Sequence, residues 1–579
     1  MIFVLYKKLI DNSCMKFGKT CLVISLLTLL AGCNIFDNSS SSPTSESSDP
    51  VSSSSSIPTS IPSSSSEITT SSSSTSTPTS EPTSKPTSAS VPTSEPTSIT
   101  TTPSTSIPSS STSGTDIESI PVNFTAINDY HGQLDENGYQ VGIAKTTTYL
   151  KDKKAKGDIL INSGDSYQGS LICYEDKGHF LSSIFKDIGF DSYTIGNHEF
   201  DWGVSSILSN EEVLGQKMLG ANIYKYPKVD GEWEKADLGK LYDIVTLYEG
   251  TPQETKVGII GVIGSRQITS ITSLYTEDYI FLNPDPIVKE LAIELRENKE
   301  CDIVVASYHD ASPDDSIAYE VPGKNYRYVD ACFMGHTHSF DSYTVNDVPF
   351  VQAGAYSQGA SEVSLLFNKA TSSVTLEDYG YQNLFYLDLE ADEEVAEALQ
   401  DIKDARHSEF SDIIGRNDTG REIDVYSMSS FYAKVSYEKA TNQGHELAAC
   451  IFNQSRRPLK AGDFTYSDLY ETHPFMNGIY ILSCDDYDIY NEYRYGCAYV
   501  NPEYTINPGG SSFRDVLVFD YNGMHIGVND SYEKFYNYFP SAFSSGALHE
   551  PIKLDFTCVE ATLEWLQVHN VITSADINY

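Results

Sequence analysis

Five short polar clusters, each placed directly after an apolar run, carry the residues whose types and spacing suit catalysis. Imidazole, carboxylate and amide groups stand side by side in them, and they hold five of the 12 histidines of the chain. Imidazole and carboxylate ligands together suit Zn, Mn or Fe, whereas oxygen ligands alone would indicate Mg or Ca. The clusters are INDYHG (Asp129, His131), NSGDSYQGS (Asp165), IGNHEFD (Asn197, His198, Asp201), SYHD (His309) and MGHTH (His336, His338).

The apolar runs before these clusters are strand-like, and helix-like segments alternate with them. This alternation predicts an α/β fold over roughly residues 117–375. A helix is predicted with Asp285 as its N-cap and Pro286 in its first turn. In open α/β sheets functional groups collect beyond the carboxyl ends of the strands, so the clusters are expected to converge. The predicted strands are VNFTAI (122–127), DILIN (158–162), SYTI (192–195), VGIIGVIG (257–264), DIVVAS (302–307) and ACFM (331–334).

Converging ligands of these types predict a pair of divalent metals. A bridging carboxylate holds two cations close together, and neutral imidazoles and an amide leave them Lewis-acidic toward an anionic substrate. Two such metals can activate water and stabilise both the attacking and the leaving oxygen of a phosphoryl displacement. Each cluster alone also suits a polar turn, and Asp165 also suits a helix cap. The five in order, each after an apolar run, favour the metal centre.

The N-terminus is typical of a secreted, lipid-anchored protein. Lys16 and Lys19 precede a short apolar run, 21–30, which is about half the ~20 residues of a spanning helix. The following LAGC resembles a bacterial lipobox, so residues 1–33 are predicted to be a signal peptide, with Cys33 lipidated and Met1 or Met15 as the start. The alternative is an anchor that is never cleaved. Residues 34–116 are rich in Ser, Thr and Pro and are expected to be a disordered tether.

Charge and cysteine content exclude some classes of protein. The formal charge of −42 argues against a general affinity for nucleic-acid polymers. The cysteines after Cys33 are odd in number and form no CxxC pair, so no disulfide framework or zinc ribbon is indicated, although Cys484 and Cys497 could bridge a hairpin.

At this point a family resemblance is plain. D-x-H, G-D, G-N-H-E-F-D, H and G-H-x-H in this order resemble the calcineurin-like metallophosphoesterases, and more narrowly the bacterial 5′-nucleotidase / UDP-sugar hydrolase family. The resemblance implies layered β-sheets flanked by helices in residues 117–385, a connecting helix in 386–412 and a smaller α+β substrate-binding domain in 413–579. Together with the predicted lipid anchor at Cys33, it gives an enzyme on the outer face of a bacterial membrane, expected to be a monomer.

The resemblance also implies roles for the clustered residues. One metal would be held by Asp129, His131, Asp165 and His338, and the other by Asp165, Asn197, His309 and His336, with Zn, Mn, Fe or Co as candidates. His198 would stabilise the charge on the phosphoryl group, and Asp201 would orient the His198 ring.

The second half carries a weaker signature of the same family, in SRRPLKAGDFTYSDLYETHPFMN. By resemblance Arg456 would bind the substrate phosphate or carboxylate end, Phe475 would stack on a nucleobase, and Asn477 and Phe519 would complete the pocket. Without the resemblance, an ion pair for Arg456 and a core position for Phe475 are equally good interpretations. The glycines that the family has before this arginine are missing, as is its late Gly-Gly-Asp-Gly run, so the substrate is the open point.

Three hypotheses follow from the sequence. The first is a metal-dependent phosphomonoester hydrolase that acts on extracellular nucleotides and releases nucleoside and phosphate. The second keeps the metals and changes the substrate to a 2′,3′-cyclic nucleotide, a nucleotide sugar or another phosphoester. The third is a surface binding lipoprotein that has lost catalysis.

Overall fold

The computed structural model describes residues 119–577 except 311, 453, 476–477, 495–496, 520–524, 530–531 and 537–538. Residues Thr115–Tyr579 form one compact unit, so the division into domains at residues 385 and 412 stays a prediction. Cys33, the predicted tether and Asn477 lie outside the described residues. Within the described part of the chain, no helix combines the length and the hydropathy needed to cross a membrane.

The first half of the described chain contains thirteen strands and seven α-helices. The strands are β1 (Ser119–Ile127), β2 (Ile159–Asn162), β3 (Ser192–Tyr193), β4 (Ile223–Lys225), β5 (Tyr242–Leu247), β6 (Thr255–Ile263), β7 (Tyr279–Phe281), β8 (Ile303–His309), β9 (Ala331–Met334), β10 (Phe340–Val345), β11 (Val348–Ala353), β12 (Gly359–Asn368) and β13 (Ser373–Asn383). The helices are α1 (Gly142–Lys156), α2 (Leu171–Asp176), α3 (His179–Ile188), α4 (Val204–Leu214), α5 (Pro284–Asn298), α6 (Glu393–Ala405) and α7 (His407–Phe410).

Two mixed sheets build this half. One has the order β13-β12-β1-β2-β3 and the other the order β10-β11-β9-β8-β6-β5. Successive side chains of β6 point to opposite faces of its sheet. Ile259 packs in a core cluster between the two sheets, whereas Ile260 packs against Leu291 and Leu295 of α5 on the other face. The predicted α/β fold, with layered sheets flanked by helices, is confirmed.

Two sequence predictions differ from the structure in detail. Helix α5 begins at Pro284, and Asn283 is its N-cap because the Asn283 side chain accepts a hydrogen bond from the backbone N–H of Asp285. The prediction of Asp285 as N-cap was therefore wrong by two residues, since proline fits either position of the first turn. The connecting helix is broken at Arg406 into α6 and α7.

The second half is built on two further sheets. Their orders are β16-β14-β23 and β18-β15-β19-β17-β22, and a large apolar cluster with α8 and α11 forms its core. Cys484 is a free, buried thiol, so it forms no disulfide with Cys497. The strands are β14 (Ile413–Asn417), β15 (Ala449–Phe452), β16 (Gly462–Thr465), β17 (Ile479–Asp485), β18 (Cys497–Val500), β19 (Phe513–Phe519), β20 (His525–Asn529), β21 (Tyr532–Tyr536), β22 (Ile552–Lys553) and β23 (Val571–Ile572). The helices are α8 (Val425–Asn442), α9 (Tyr466–Thr472), α10 (Asp486–Tyr493), α11 (Cys558–His569) and α12 (Ser574–Ile577).

Candidate active site

The five polar clusters meet at the carboxyl ends of strands that belong to two sheets. Strands β1, β2 and β3 of the first sheet are followed by the clusters of Asp129, Asp165 and Asn197. In the second sheet β8 ends at His309 itself, and β9 is followed by the cluster of His336 and His338. The predicted convergence is therefore present, and it occurs between two packed sheets.

The backbone of these clusters is in a conformation that residues other than glycine seldom adopt. Five of the predicted ligands have φ in the left-handed region, between 48° and 81°. Such residues each cost on the order of 1–3 kcal/mol and persist where the surroundings over-determine them, which is typical of functional sites. The five are Asp129, His131, Asp165, His336 and His338.

The side chains form two groups that each suit one cation. In the first, one ligand atom each of Asp129, His131 and His338 lies within 4.8 Å of the others, and in the second the same holds for Asp165, His309 and His336. The first group is buried apart from His338, which is partly exposed.

Asp165 and Asn197 connect the members of these groups. Asp165 Oδ2 lies 3.0 Å from His309 Nε2 and 3.9 Å from His131 Nε2, so one carboxylate faces both groups. Asn197 Oδ1 lies 3.2 Å from His309 Nε2 and 3.0 Å from His336 Nδ1. These positions match those of a bridging carboxylate and a neutral amide ligand.

Hydrogen bonds to backbone carbonyls fix the orientation of two imidazoles. His131 Nδ1 donates to the carbonyl of Gln168 at 3.0 Å, and His309 Nδ1 donates to that of Ser163 at 2.8 Å. Because a carbonyl only accepts, Nδ1 carries the hydrogen, and in the neutral ring the Nε2 lone pair faces the cluster. Metal-binding histidines are commonly held in this way, so the donor set fits divalent cations.

The ionisation of two histidines agrees with that fit, whereas at His309 burial acts to lower the pKa but Asp165 outweighs it and raises that pKa to about 10. Burial lowers the pKa of His336 to about 4 and that of His338 to about 3, which keeps both rings neutral and able to ligate. Burial raises the pKa of Asp129 to about 7. Burial also acts to raise the pKa of Asp165, but His309 and His198 outweigh it and hold that pKa well below its usual range. The buried carboxylates therefore depend on nearby positive charge, which a divalent cation supplies when bound.

His198 lies beside this cluster and is held by a carboxylate. Its Nδ1 is 2.7 Å from Asp201 Oδ2, and its backbone N–H donates to Asp165 Oδ1 at 2.7 Å. Burial acts to lower the pKa of His198, but Asp201 and Asp165 outweigh it and raise that pKa.

The second half of the chain reaches this histidine through Arg456 and Phe475. Arg456 Nη2 lies 2.8 Å from His198 Nε2, and the Phe475 ring stacks on the imidazole with a centroid distance of 5.6 Å. The guanidinium also lies 5.0 Å above the Phe475 ring. Both side chains line a cavity of about 930 Å³ together with His198 and His338.

Of the two other residues predicted for the pocket, one packs elsewhere and one lies outside the described residues. Phe519 is 4% exposed and packs in the core, with its ring 4.3 Å from that of Phe452, so the structure does not support a stacking role for it. The reason is strand register: Phe519 is the last residue of β19 and pairs with Ile479, inside the sheet. Asn477 lies outside the described residues.

Glu199 is a site residue that sequence reasoning missed. Its carboxylate accepts hydrogen bonds from the backbone N–H groups of Asp165 at 3.0 Å, Ser166 at 2.7 Å and Gly196 at 2.7 Å. Burial raises the pKa of Glu199 to about 7. Glu199 therefore joins the loop of Asp165 to the loop of Asn197. The only sequence signal for Glu199 is its place in the cluster IGNHEFD, where Asn197, His198 and Asp201 already had predicted roles.

The comparisons with known proteins agree with this geometry. Residues 122–340 match the family model of the calcineurin-like phosphoesterases. They are a calcineurin-like phosphoesterase domain. This domain is thus that of a hydrolase, from a family that uses divalent metals, and the recognition made from the five clusters is confirmed for it.

Similarity to individual proteins extends beyond the phosphoesterase domain. An apyrase from Tabanus yao is 27% identical over 426 residues, which cover 65% of this chain and 73% of the apyrase. The endonuclease YhcR of Bacillus subtilis is 24% identical over 402 residues, which cover 62% of this chain but 31% of YhcR. The structure of a 5′-nucleotidase precursor from Thermus thermophilus superposes with a TM-score of 0.63 at 17% identity, over 78% of this chain and 97% of that one. The two chains therefore share a fold across both halves.

Proposed function

We propose that this protein hydrolyses nucleoside phosphates at the outer face of a bacterial membrane, with release of nucleoside and phosphate. One observation carries the proposal: Arg456 and Phe475, from the second half, touch His198, which itself contacts His131 of one ligand group and Asp165 of the other. A phosphate-binding cation and an aromatic face thus lie beside the reaction centre, which is the pairing that a nucleotide needs. The name of the apyrase relative supports the same substrate class.

In the proposed site Asp129, His131, Asp165 and His338 would hold one cation, and Asp165, Asn197, His309 and His336 would hold the other. When bound, such metals polarise the phosphoryl group and make water a nucleophile. Asn128 supports the first group, because its Nδ2 donates to Asp129 Oδ2 at 2.6 Å.

His198 and Arg456 have complementary tasks in this mechanism. Their 2.8 Å contact requires a neutral imidazole that accepts at Nε2, because a guanidinium only donates. A phosphoryl oxygen inserted between them would accept a hydrogen bond from Arg456 and one from protonated His198. Asp201, bonded to Nδ1, stabilises the imidazolium in that state.

The remaining features of the proposal concern location and assembly. Lipidation at Cys33 and the Ser/Thr/Pro-rich tether would hold a monomeric enzyme away from the membrane. The proposed division is a metallophosphatase domain (117–385), a connecting helix (386–412) and a substrate-binding domain (413–579).

The test is phosphate release from AMP by purified protein, with and without added Mn, Zn or Co. We expect release only with metal, and we expect His198→Asn to lower the rate by about 10²–10³-fold while the bound metal stays. Release from AMP that does not need metal would contradict the proposal. A His198→Asn variant as active as the parent would remove His198 from the mechanism, and AMP hydrolysed far more slowly than a cyclic nucleotide would favour the second hypothesis.

A further inference from the structure

The cavity beside His198 is cationic although the chain as a whole is strongly acidic. The formal charge of the chain is −42, yet the cavity is lined by Lys177, Arg456 and Lys553. Among the described residues that line it, the only carboxylate is Asp201, and it is bonded to His198. A cleft lined by one sign of charge concentrates ligands of the opposite sign, so the cavity selects anions.

Lys177 is held in this cavity by aromatic rings and not by an ion pair. Its ammonium lies 4.1 Å from the centroid of the Tyr174 ring and 5.2 Å from that of the Trp202 ring. The neighbouring Asp176 accepts from the backbone N–H groups of Gly178 and Phe180. In the part of the chain that the structure describes, no carboxylate lies within ion-pair distance of Lys177.

The backbone places Lys177 in this position. It follows the last residue of α2 with φ of 58°, in the left-handed region, so its side chain leaves the helix end toward the cavity. Trp202 directly follows Asp201 in sequence, so one of the rings that carry the lysine belongs to the same loop as the His198–Asp201 pair. The ring contact thus ties the Lys177 ammonium to the loop that carries His198 and Asp201.

A second unmatched group in the cavity also indicates a ligand. Gln168 is 3% exposed, its Nε2 donates to the carbonyl of Pro474 at 2.8 Å, and its Oε1 has no hydrogen-bond partner among the described residues. Buried acceptors are rarely left in this state. A hydroxyl of a sugar would satisfy Oε1, just as an anion would satisfy Lys177.

We propose that Lys177, carried on Tyr174 and Trp202, binds a second phosphate of the substrate, one that belongs to the leaving group. This inference rests on the proposed function. His198, Arg456 and the two ligand groups already account for the phosphoryl group that reacts. A nucleoside monophosphate therefore leaves no anion for Lys177, whereas a nucleoside diphosphate or a nucleoside 3′,5′-bisphosphate provides one.

The test compares kcat/KM for AMP, ADP and adenosine 3′,5′-bisphosphate in the parent, Lys177→Met and Lys177→Arg. Methionine keeps an unbranched chain over the rings and removes the charge, and arginine keeps the charge. Lys177→Met is expected to lower kcat/KM about tenfold for ADP, for the bisphosphate or for both, and to leave AMP almost unchanged. Loss for ADP alone assigns Lys177 to a phosphate chain, and loss for the bisphosphate alone assigns it to a phosphate on the ribose.

Lys228→Met is the matched control. Lys228 lies 4.7 Å from the Trp233 ring, so it is also a lysine over an aromatic ring, but it does not line the cavity. Lys228→Met should leave kcat/KM unchanged for all three substrates. Lys177→Arg should retain most of the parent's preference for substrates with two phosphates. That result would show that the charge of Lys177, and not its packing on the rings, sets the preference.

Two results would overturn the inference: no change for any substrate in Lys177→Met, or the same loss for AMP as for the substrates with two phosphates. If the parent hydrolyses none of the three, the proposed function fails separately. Calorimetric titration with the α,β-methylene analogue of ADP then decides about Lys177, because weaker binding to Lys177→Met supports the subsite and equal binding refutes it.

Discussion

The two sides of the cavity hold their functional groups in different ways. On the phosphoesterase side five candidate ligands have a left-handed backbone, and two imidazoles are fixed by backbone carbonyls. On the other side Arg456 and Phe475 have no such backbone, and they contact the site through one 2.8 Å hydrogen bond and ring stacking on His198. The first side is preformed before substrate arrives, whereas a substrate can replace the contacts of the second. Damage to the first should therefore abolish activity, and damage to the second should change affinity.

The largest effect is expected from Asp165→Asn. Asp165 faces both ligand groups, so loss of its charge should release metal and remove several kcal/mol of transition-state stabilisation, on the order of a 10³-fold drop in kcat. Metal analysis and AMP turnover measure both effects. Asp237→Asn, at a fully exposed side chain, is the control. Full metal content in Asp165→Asn would contradict a bridging role.

A smaller loss is expected from Glu199→Gln. The amide still accepts at one atom, but its NH₂ group then meets a backbone N–H donor of Asp165 or Ser166. We expect metal affinity to fall about 10–100-fold, and metal titration followed by AMP turnover measures it. Glu212→Gln, on the exposed face of α4, should behave as the parent. Unchanged metal affinity in Glu199→Gln would show that the two loops keep their geometry without this carboxylate.

Arg456→Lys tests the other side of the comparison. Lysine keeps the charge but loses the forked guanidinium, so KM for AMP should rise about tenfold with metal content unchanged. Arg416→Lys is a matched control, because Arg416 forms an exposed ion pair with Asp463 on the surface. A loss of metal in Arg456→Lys would mean that the two sides are not independent.

The smallest effect on catalysis is expected from Phe519→Leu. Its ring is 4% exposed and packs on Phe452, so the substitution should cost about 1 kcal/mol of folding free energy. KM for AMP should not change. Thermal unfolding and steady-state kinetics measure the two quantities, and a raised KM with unchanged stability would restore the stacking role that the sequence suggested for Phe519.

The sequence predicted which side chains converge between the two sheets, and their roles as metal ligands stay a prediction. It predicted much less of the rest. Asp129, His131 and His309 could be found because their chemistry is local: a ligand type directly follows an apolar strand. Glu199 could not, because its role consists of hydrogen bonds to backbone groups of another loop, which exist only after folding. Phe519 was misplaced for a related reason, since an aromatic residue at a strand end faces a core or a pocket according to the sheet register.

The fold was predictable in class and not in arrangement. Strands β1, β2, β6, β8 and β9 were recognised from apolar runs, whereas β10–β13, which lie at one side of each sheet, were not predicted. The ligands were expected to converge, and the structure adds that the strands before them belong to two packed sheets. The start of α5 at Pro284 shows the same limit on a smaller scale, because Asn283 and Asp285 both suit an N-cap beside proline.

The most direct test of the dinuclear centre is the divalent metal content of the purified full-length chain after removal of metal by chelation and reloading with Mn or Zn. Asp129, His131 and His338 on one side and Asp165, His309 and His336 on the other predict about two ions per chain, with AMP hydrolysis returning as the second ion binds. A chain that regains full AMP hydrolysis with one ion, or binds none, would contradict the account.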